Sequence, residues 1–590
     1  MPEYLSPGVY VEEFESGGRP LAGASTSTAG FIGLAEKGPI EGLPELVTSF
    51  ADFQRIFGGY LSKHQFGDYR FLTYAVEHFF INGGSRCYVM RVSPSDAQPA
   101  ANYSEGNKDM LALGITAKNP GTWGDGVKIL VTPSSKAKTQ IVEVVGDEGS
   151  SVEYSVKSGA GFNPGDIVMF DDGAEKQYNK IVSVSDNVIK LSTHLSGDGH
   201  VVDNELVPVK VLSTCEFNMQ VIYGEEVENF ENVSLNPATP NYVEKVLSRS
   251  NLVDVKHNDS PKLISGEDGV GELVSPYEMV TGGKDAGDGF IISLAGGSDG
   301  SIAEVTEADF MGEDKGPGKR TGIQAFIDND EVSIMAVPGI TTPAVQLALV
   351  AHCENLGSRF AVLDVPQDKK KVADVEVHRN IFDTTYAAMY HPWLQVFDPM
   401  DKCNIFIPPS GSMVGIYSRT DQARGVHKAP ANEVVRSCVG LDCQYNKGEQ
   451  DILNPKGVNL IRFFTGQGIR VWGARTCSSN SLWKYINVRR LFIFLEESIK
   501  NGTNWVVFEP NDERLWARVH QTIDAFLTGV WQAGALMGSS ASEAFFVSVD
   551  RSTMTQDDID NGRLICVLGV APVKPAEFVI FRITQKTGGQ

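Results

Sequence analysis

The chain has 590 residues, enough for three or four domains with sizeable cores. Its 42% hydrophobic and 21% charged content is that of a globular protein, not a disordered or fibrous one. A net charge of −23 argues against nucleic-acid binding, and no apolar run is long enough to span a membrane. The first residues lack the basic and apolar regions of a secretory signal, so cytoplasmic synthesis is expected. The 8 cysteines are scattered, which reads as buried free thiols and not as a disulfide framework. Charge is uneven: residues 131–290 hold 26 acidic against 12 basic side chains, and 431–490 hold 4 against 9. Two solvated surfaces that happen to differ would explain this; so would a basic face turned towards an acidic partner.

Residues 1–20 read as an extended arm with a strand-like run from Val9 to Phe14, closed by Ser16, Gly17, Gly18, Arg19 and Pro20. A strand is expected over 29–34, a short helix over 50–56, a helix over 69–80 and a buried strand over 87–92. Between 131 and 270, short alternating segments at 141–145, 167–170, 180–184 and 188–191 are separated by turn residues, the pattern of an all-β module. Strands at 289–294, 332–337, 360–364 and 404–407 then alternate with a helix opening at 323–326 and another over 344–356. That alternation implies a largely parallel sheet covered on both faces. Two helices are expected near 488–500 and 512–533, before a final apolar strand at 578–584. Terminal apolar strands need a partner, because an unpaired edge is an aggregation hazard. If the partner is a neighbouring copy, the chain polymerises.

Few residues suggest chemistry. Gly296, Gly297, Ser298, Asp299 and Gly300 match a nucleophile elbow, with Asp364 and then His391 or His427 in the order of an α/β-hydrolase. The same string is ordinary turn chemistry. Gly312 to Arg320 fails as a phosphate loop, since its spacing is one residue too long and Arg320 stands where Ser or Thr is required. The 10 histidines show no metal-ligand spacing.

Several longer strings resemble signatures of contractile tail sheath proteins. They are Tyr386 to Trp393 (YAAMYHPW), Ile407 to Asp421 (IPPSGSMVGIYSRTD) and its continuation Arg424 to Asn432 (RGVHKAPAN). Leu294 to Gly300, Pro7 to Glu12, Phe80 to Val92, Asn119 to Gly124 and Asn487 to Leu491 are similar to further family strings, in the family's order. The likeness covers roughly 1–130 and 275–590.

The resemblance implies an α/β multidomain chain with a subtilisin-like α/β core lacking the protease site. The core is expected at 21–130 and 275–455, and the variable, outward-facing β-rich insertion at 131–274. A C-terminal α+β domain facing an inner tube is expected at 456–575, with intersubunit arms at 1–20 and 576–590. Val9, Tyr10, Val11 and Phe14, and Phe578, Val579, Ile580, Phe581 and Ile583, are the expected exchanged-strand residues. Arg489 and Arg490 are candidate tube contacts, although pairing within the subunit would explain them equally. The resemblance implies a structural subunit with no catalytic residue, metal or cofactor. It would polymerise as a helical homo-oligomer of stacked rings around an inner tail tube, with baseplate and tail-terminator or cap proteins as further partners. Nucleic-acid binding and membrane insertion are not expected. The alternatives are a serine hydrolase using Ser298 and a non-contractile, capsid-like polymer.

Overall fold

The computed structural model describes residues 21–103, 111–146, 150–171, 176–195, 210–258, 273–282, 289–578 and 580. Its largest sheet has eight strands: β1 (Ala29–Leu34), β2 (Glu45–Val47), β3 (Cys87–Val92), β4 (Ile334–Ala336), β5 (Phe360–Asp364), β6 (Ala387–His391), β7 (Val458–Phe464) and β8 (Gly468–Val471). The spatial order is β2-β3-β1-β4-β5-β6-β7-β8. From β3 to β7 all pairings are parallel, and the edge strands β2 and β8 are antiparallel. Strands such as AGFIGL and FAVLD are buried at every position because both faces are covered. Phe31, Val362 and Tyr390 enter one core while Ile32, Leu363 and Met389 enter the other.

Two helices close the first of these cores, α1 (Leu72–Ile81) and α2 (Ser410–Arg424). Ten of the fifteen residues of α2 are buried, so it runs through the interior and shows no apolar stripe. The two helices approach closely through glycines. A Cβ on Gly411 would lie 2.4 Å from the Ala75 carbonyl oxygen, and one on Gly415 2.5 Å from that of Phe79.

The region expected to be a β-rich insertion comprises two bodies. Strands Lys138–Val145, Glu153–Val156, Ile167–Asp171, Lys176–Ser185, Val188–Leu191 and Val211–Thr214 form a closed barrel around Tyr154, Phe170, Ile181 and Leu212. Its chain leaves and re-enters a four-stranded antiparallel sheet of Lys128–Ser134, Glu216–Tyr223, Glu226–Val233 and Phe290–Ser293. The core of that sheet also takes Ala100, Ile115, Trp123 and Leu294. The expected boundaries at 131 and 274 therefore cut through one hydrophobic core, which reaches back to about residue 100 and on to 294.

The expected boundary at 455/456 is corrected too. Strands β7 and β8 complete the large sheet, so the central body runs to Val471. The C-terminal body consists of α3 (Ile486–Gly502), α4 (Glu513–Gln532) and the hairpin of β9 (Phe545–Ser548) with β10 (Val567–Val570). The strand expected at 404–407 exists as Cys403–Ile407, but pairs antiparallel with Leu394–Asp398 in a separate small sheet. The segment at 323–326 is a 3-10 helix, Gly322–Asp328.

Candidate assembly interface

Helix α3 is the element against which the described segments nearest both ends of the chain, 21–26 and 571–577, are held. Its sequence, INVRRLFIFLEESIKNG, buries Ile486, Val488, Leu491, Ile493 and Leu495. Residues 21–26 lie along it in the opposite direction. Arg490 Nη2 donates to the Thr26 carbonyl (2.7 Å), the Ala24 N–H donates to Ser498 Oγ (2.9 Å), and Leu21 fills the space beside Gly502. Twelve helical residues rise about 18 Å, which six extended residues match at about 17–20 Å. This N-terminal strap and helix α4 flank an apolar groove of about 1020 Å³ over Leu491, Phe494, Phe526 and Val530.

The other end of the chain crosses the opposite end of α3. After β10, the Ala571 N–H donates to the Ala544 carbonyl (2.8 Å) and the Val573 N–H to that of Ala535 (3.2 Å). Asn487 Nδ2 donates to the Val573 carbonyl (3.2 Å). The Glu577 carboxylate then accepts from Arg475 Nε and Nη2 (2.8 and 2.7 Å), Asn454 Nδ2 (2.7 Å) and the Tyr485 hydroxyl (3.0 Å). Burial alone would raise the Glu577 pKa, but these donors hold it below the ordinary glutamate value. Directly beyond it, Phe578 and Ile580 are 74% and 80% exposed. Of the strand residues expected from sequence, Val9, Tyr10, Val11, Phe14, Val579, Phe581 and Ile583 lie outside the described residues.

Arg489 and Arg490, for which the sequence left tube contact and pairing within the subunit equally open, are inside the subunit. Arg490 pairs with Asp421 of α2, both side chains being 4% exposed, and lies 4.8 Å from the Tyr417 ring. Arg489 stacks on Trp483 (3.8 Å) and Tyr386 (4.6 Å), and its Nη1 donates to the Tyr386 hydroxyl (2.9 Å). Net charge along a sequence does not distinguish a solvated arginine from one satisfied in the core.

Of the hydrolase candidates, Ser298, Asp364 and His391 are engaged elsewhere. The Ser298 backbone bridges to Gln98, and Ser298 Oγ accepts from the Gly300 N–H (3.1 Å), as in a turn. Asp364 accepts from the backbone N–H and hydroxyl of Ser410 and from the Gly339 N–H; burial pushes its pKa up to about 6. His391 contacts the Tyr445 hydroxyl (2.8 Å), and burial lowers its pKa to about 3. Among the described residues no hydrogen bond joins Ser298 to Asp364, His391 or His427. Among the described residues no group of three or more His, Cys, Asp or Glu could hold a metal ion, and no helix is long and apolar enough to cross a membrane.

Residues 306–477 match the phage tail sheath protein central domain and 478–586 the phage tail sheath C-terminal domain. A putative prophage major tail sheath protein of Pseudomonas aeruginosa is 26% identical over 48% of this chain and 74% of its own length. The tail sheath protein of Escherichia phage P2 is 25% identical over 48% of this chain and 72% of its own. The chain belongs to the contractile tail sheath family. As a sheath protein it also shares its fold with the contracted sheath complex of the PVC extracellular contractile injection system. That match has a TM-score of 0.51 and 20% identity, over 99% of each chain. The two matched sheath domains meet at 477/478, so Asp421, Asn454 and Arg475 belong to the first, and Tyr485, Arg490 and Glu577 to the second. The Arg490 pair therefore ties domain to domain, whereas the Glu577 cluster ties the tail that follows the second domain's hairpin to the first domain. Sequence reading missed the Glu577 cluster, whose partners are 92 to 123 residues away along the chain.

Proposed function

We propose that this chain is the subunit of a contractile sheath in a phage tail or phage-like injection particle. It polymerises as stacked helical rings around an inner tube. The observation that carries this reading is that the two ends of the chain leave from opposite ends of α3. The helix has seventeen residues, about 25 Å of rise. Arms leaving at two separate places make heterologous contacts with different neighbours, and such contacts propagate as a helix instead of closing as a dimer. Strands around 9–14 and 578–584 add to sheets of adjacent copies, where backbone hydrogen bonding gives affinity. The hairpin β9–β10 is a suitable acceptor. It is only two strands wide and exposes Phe546, Val567 and Leu568, and an isolated pair of this kind is marginal without further strands.

The central body reads as a subtilisin-type layer. The strand order 2-3-1-4-5-6-7 around a buried helix supports that reading, and Ser298, held in a turn, fits a domain kept for architecture and not for hydrolysis. The C-terminal body faces the tube through surface residues other than Arg489 and Arg490. Baseplate and cap proteins terminate the polymer, which assembles in the bacterial cytoplasm. Contraction releases free energy stored in a metastable extended lattice as rigid subunits reorient, with the arms staying paired. Negative-stain images of purified protein test the reading: tubes of stacked rings are expected, and monodisperse monomers under all assembly conditions would overturn it.

A further inference from the structure

We infer that the Glu577 cluster is the anchor by which each subunit keeps hold of the C-terminal strand it gives away. The inference rests on the strand-donation reading above. From Val573 to Phe578 exposure alternates: Val573, Pro575 and Glu577 are half-buried, whereas Lys574, Ala576 and Phe578 are exposed. That period of two is an extended chain lying on a surface. Between Val573 and Glu577 the chain advances about 13 Å. This carries it from Ala535 in the C-terminal domain, past the first turn of α3, to Asn454 and Arg475 of the central domain.

Beyond Val573 the tail makes no backbone hydrogen bond among the described residues. Its remaining hold on its own subunit is concentrated in the four hydrogen bonds to the Glu577 carboxylate. Two come from one guanidinium in the fork geometry that makes arginine–carboxylate pairs strong and directional. Arg475 is itself braced: its N–H donates to Asn459 Oδ1 (2.7 Å) and its carbonyl accepts from Asn459 Nδ2 (2.8 Å), with Asn459 on β7. A neighbour pulling on residues 578–584 therefore pulls on the large sheet of the donor through Glu577 and Arg475, and spares the β9–β10 hairpin. The cluster also sets the direction in which the strand departs, turning Phe578 outward as Glu577 turns in. Arg475, Asn454 and Tyr485 are positioning residues for that strand.

The test uses the intact chain with Glu577→Ala, with the exchanged pair Glu577→Arg and Arg475→Glu, and with a deletion of 578–590 as reference. In unassembled Glu577→Ala subunits, chymotrypsin cleavage after Phe578 is expected to be about tenfold faster, because the root of the tail opens locally. Polymers of that variant are expected to dissociate into folded subunits at lower urea than the wild type. The melting temperature of the unassembled subunit stays the same, and the exchanged pair restores part of both effects. Wild-type cleavage and dissociation in Glu577→Ala would overturn the anchor. So would a matching fall in subunit melting temperature without rescue, which is the behaviour of a merely structural contact. If the deleted chain polymerises like the intact one, strand donation itself has failed, and the anchor with it. If the deletion abolishes polymers while Glu577→Ala behaves as wild type, the anchor alone has failed.

Discussion

Arg490→Ala lowers the unfolding free energy of the unassembled subunit by about 3–5 kcal/mol, the cost of breaking a buried ion pair from one side. Both partners are 4% exposed, so solvent screening does not discount the figure. The truncation leaves the Asp421 carboxylate buried without its cation, removes the donor to the Thr26 carbonyl and empties the space over Tyr417. Arg490→Lys recovers only part of the loss, because an ammonium cannot serve the carboxylate and the Thr26 carbonyl in the same planar geometry. Urea unfolding followed by tryptophan fluorescence measures the effect. The double variant Asp421→Ala, Arg490→Ala is expected to be less destabilised than the sum of the singles, since neither charge is then left alone. Equal wild-type and Arg490→Ala midpoints would show that the pair does not join the two sheath domains.

Gly411→Ala is destabilising by about 2 kcal/mol, against the usual direction for glycine in a helix. Alanine would gain about 1 kcal/mol of helix propensity. Its Cβ, however, would meet Ala75 backbone atoms at 2.4 and 2.5 Å, which no rotamer change relieves. Helices α1 and α2 must part, and overpacking of that kind costs about 1–3 kcal/mol or more. Gly529→Ala on α4 has the opposite sign. Its Cβ would meet nothing within 4 Å, so the propensity gain of about 0.5–1 kcal/mol stands alone. Thermal melts of the two variants beside wild type should bracket it, Gly411→Ala below and Gly529→Ala above. A Gly411→Ala melt at or above wild type would mean that the two helices are not in close contact.

These two sites also mark where the sequence was and was not legible. Strands Ala29–Leu34, Cys87–Val92, Val188–Leu191 and Phe360–Asp364 fall where β-branched and aromatic runs placed them. Helices Pro343–Leu356, Ile486–Gly502 and Glu513–Gln532 lie within two residues of their expected bounds, the last capped by Asp512. Helix α2 escaped periodicity because a helix buried over most of its length presents no apolar stripe. Residues 458–464, which the sequence groups with the C-terminal domain and does not mark as a strand, join the large sheet as β7, because pairing with β6 is a long-range fact that local pattern does not carry. Arg489 and Arg490 stood out as charge, yet their partners, Asp421, Tyr417, Trp483 and Tyr386, are brought to them only by the fold. The terminal strands stay an expectation of the sequence, since 9–14 and most of 578–584 lie outside the described residues. What the fold adds is the placement of the segments that lead to them: residues 21–26 and 571–577 lie at opposite ends of one helix, with Glu577 holding the second.

A helical reconstruction of the assembled polymer, at a resolution that traces strands, tests strand donation most directly. The account predicts residues 578–584 leaving the Glu577 cluster and pairing with a sheet edge of a neighbouring copy, with the N-terminal arm reaching another. Density showing both terminal strands folded back onto their own subunit, in a polymer held by other surfaces, would contradict it.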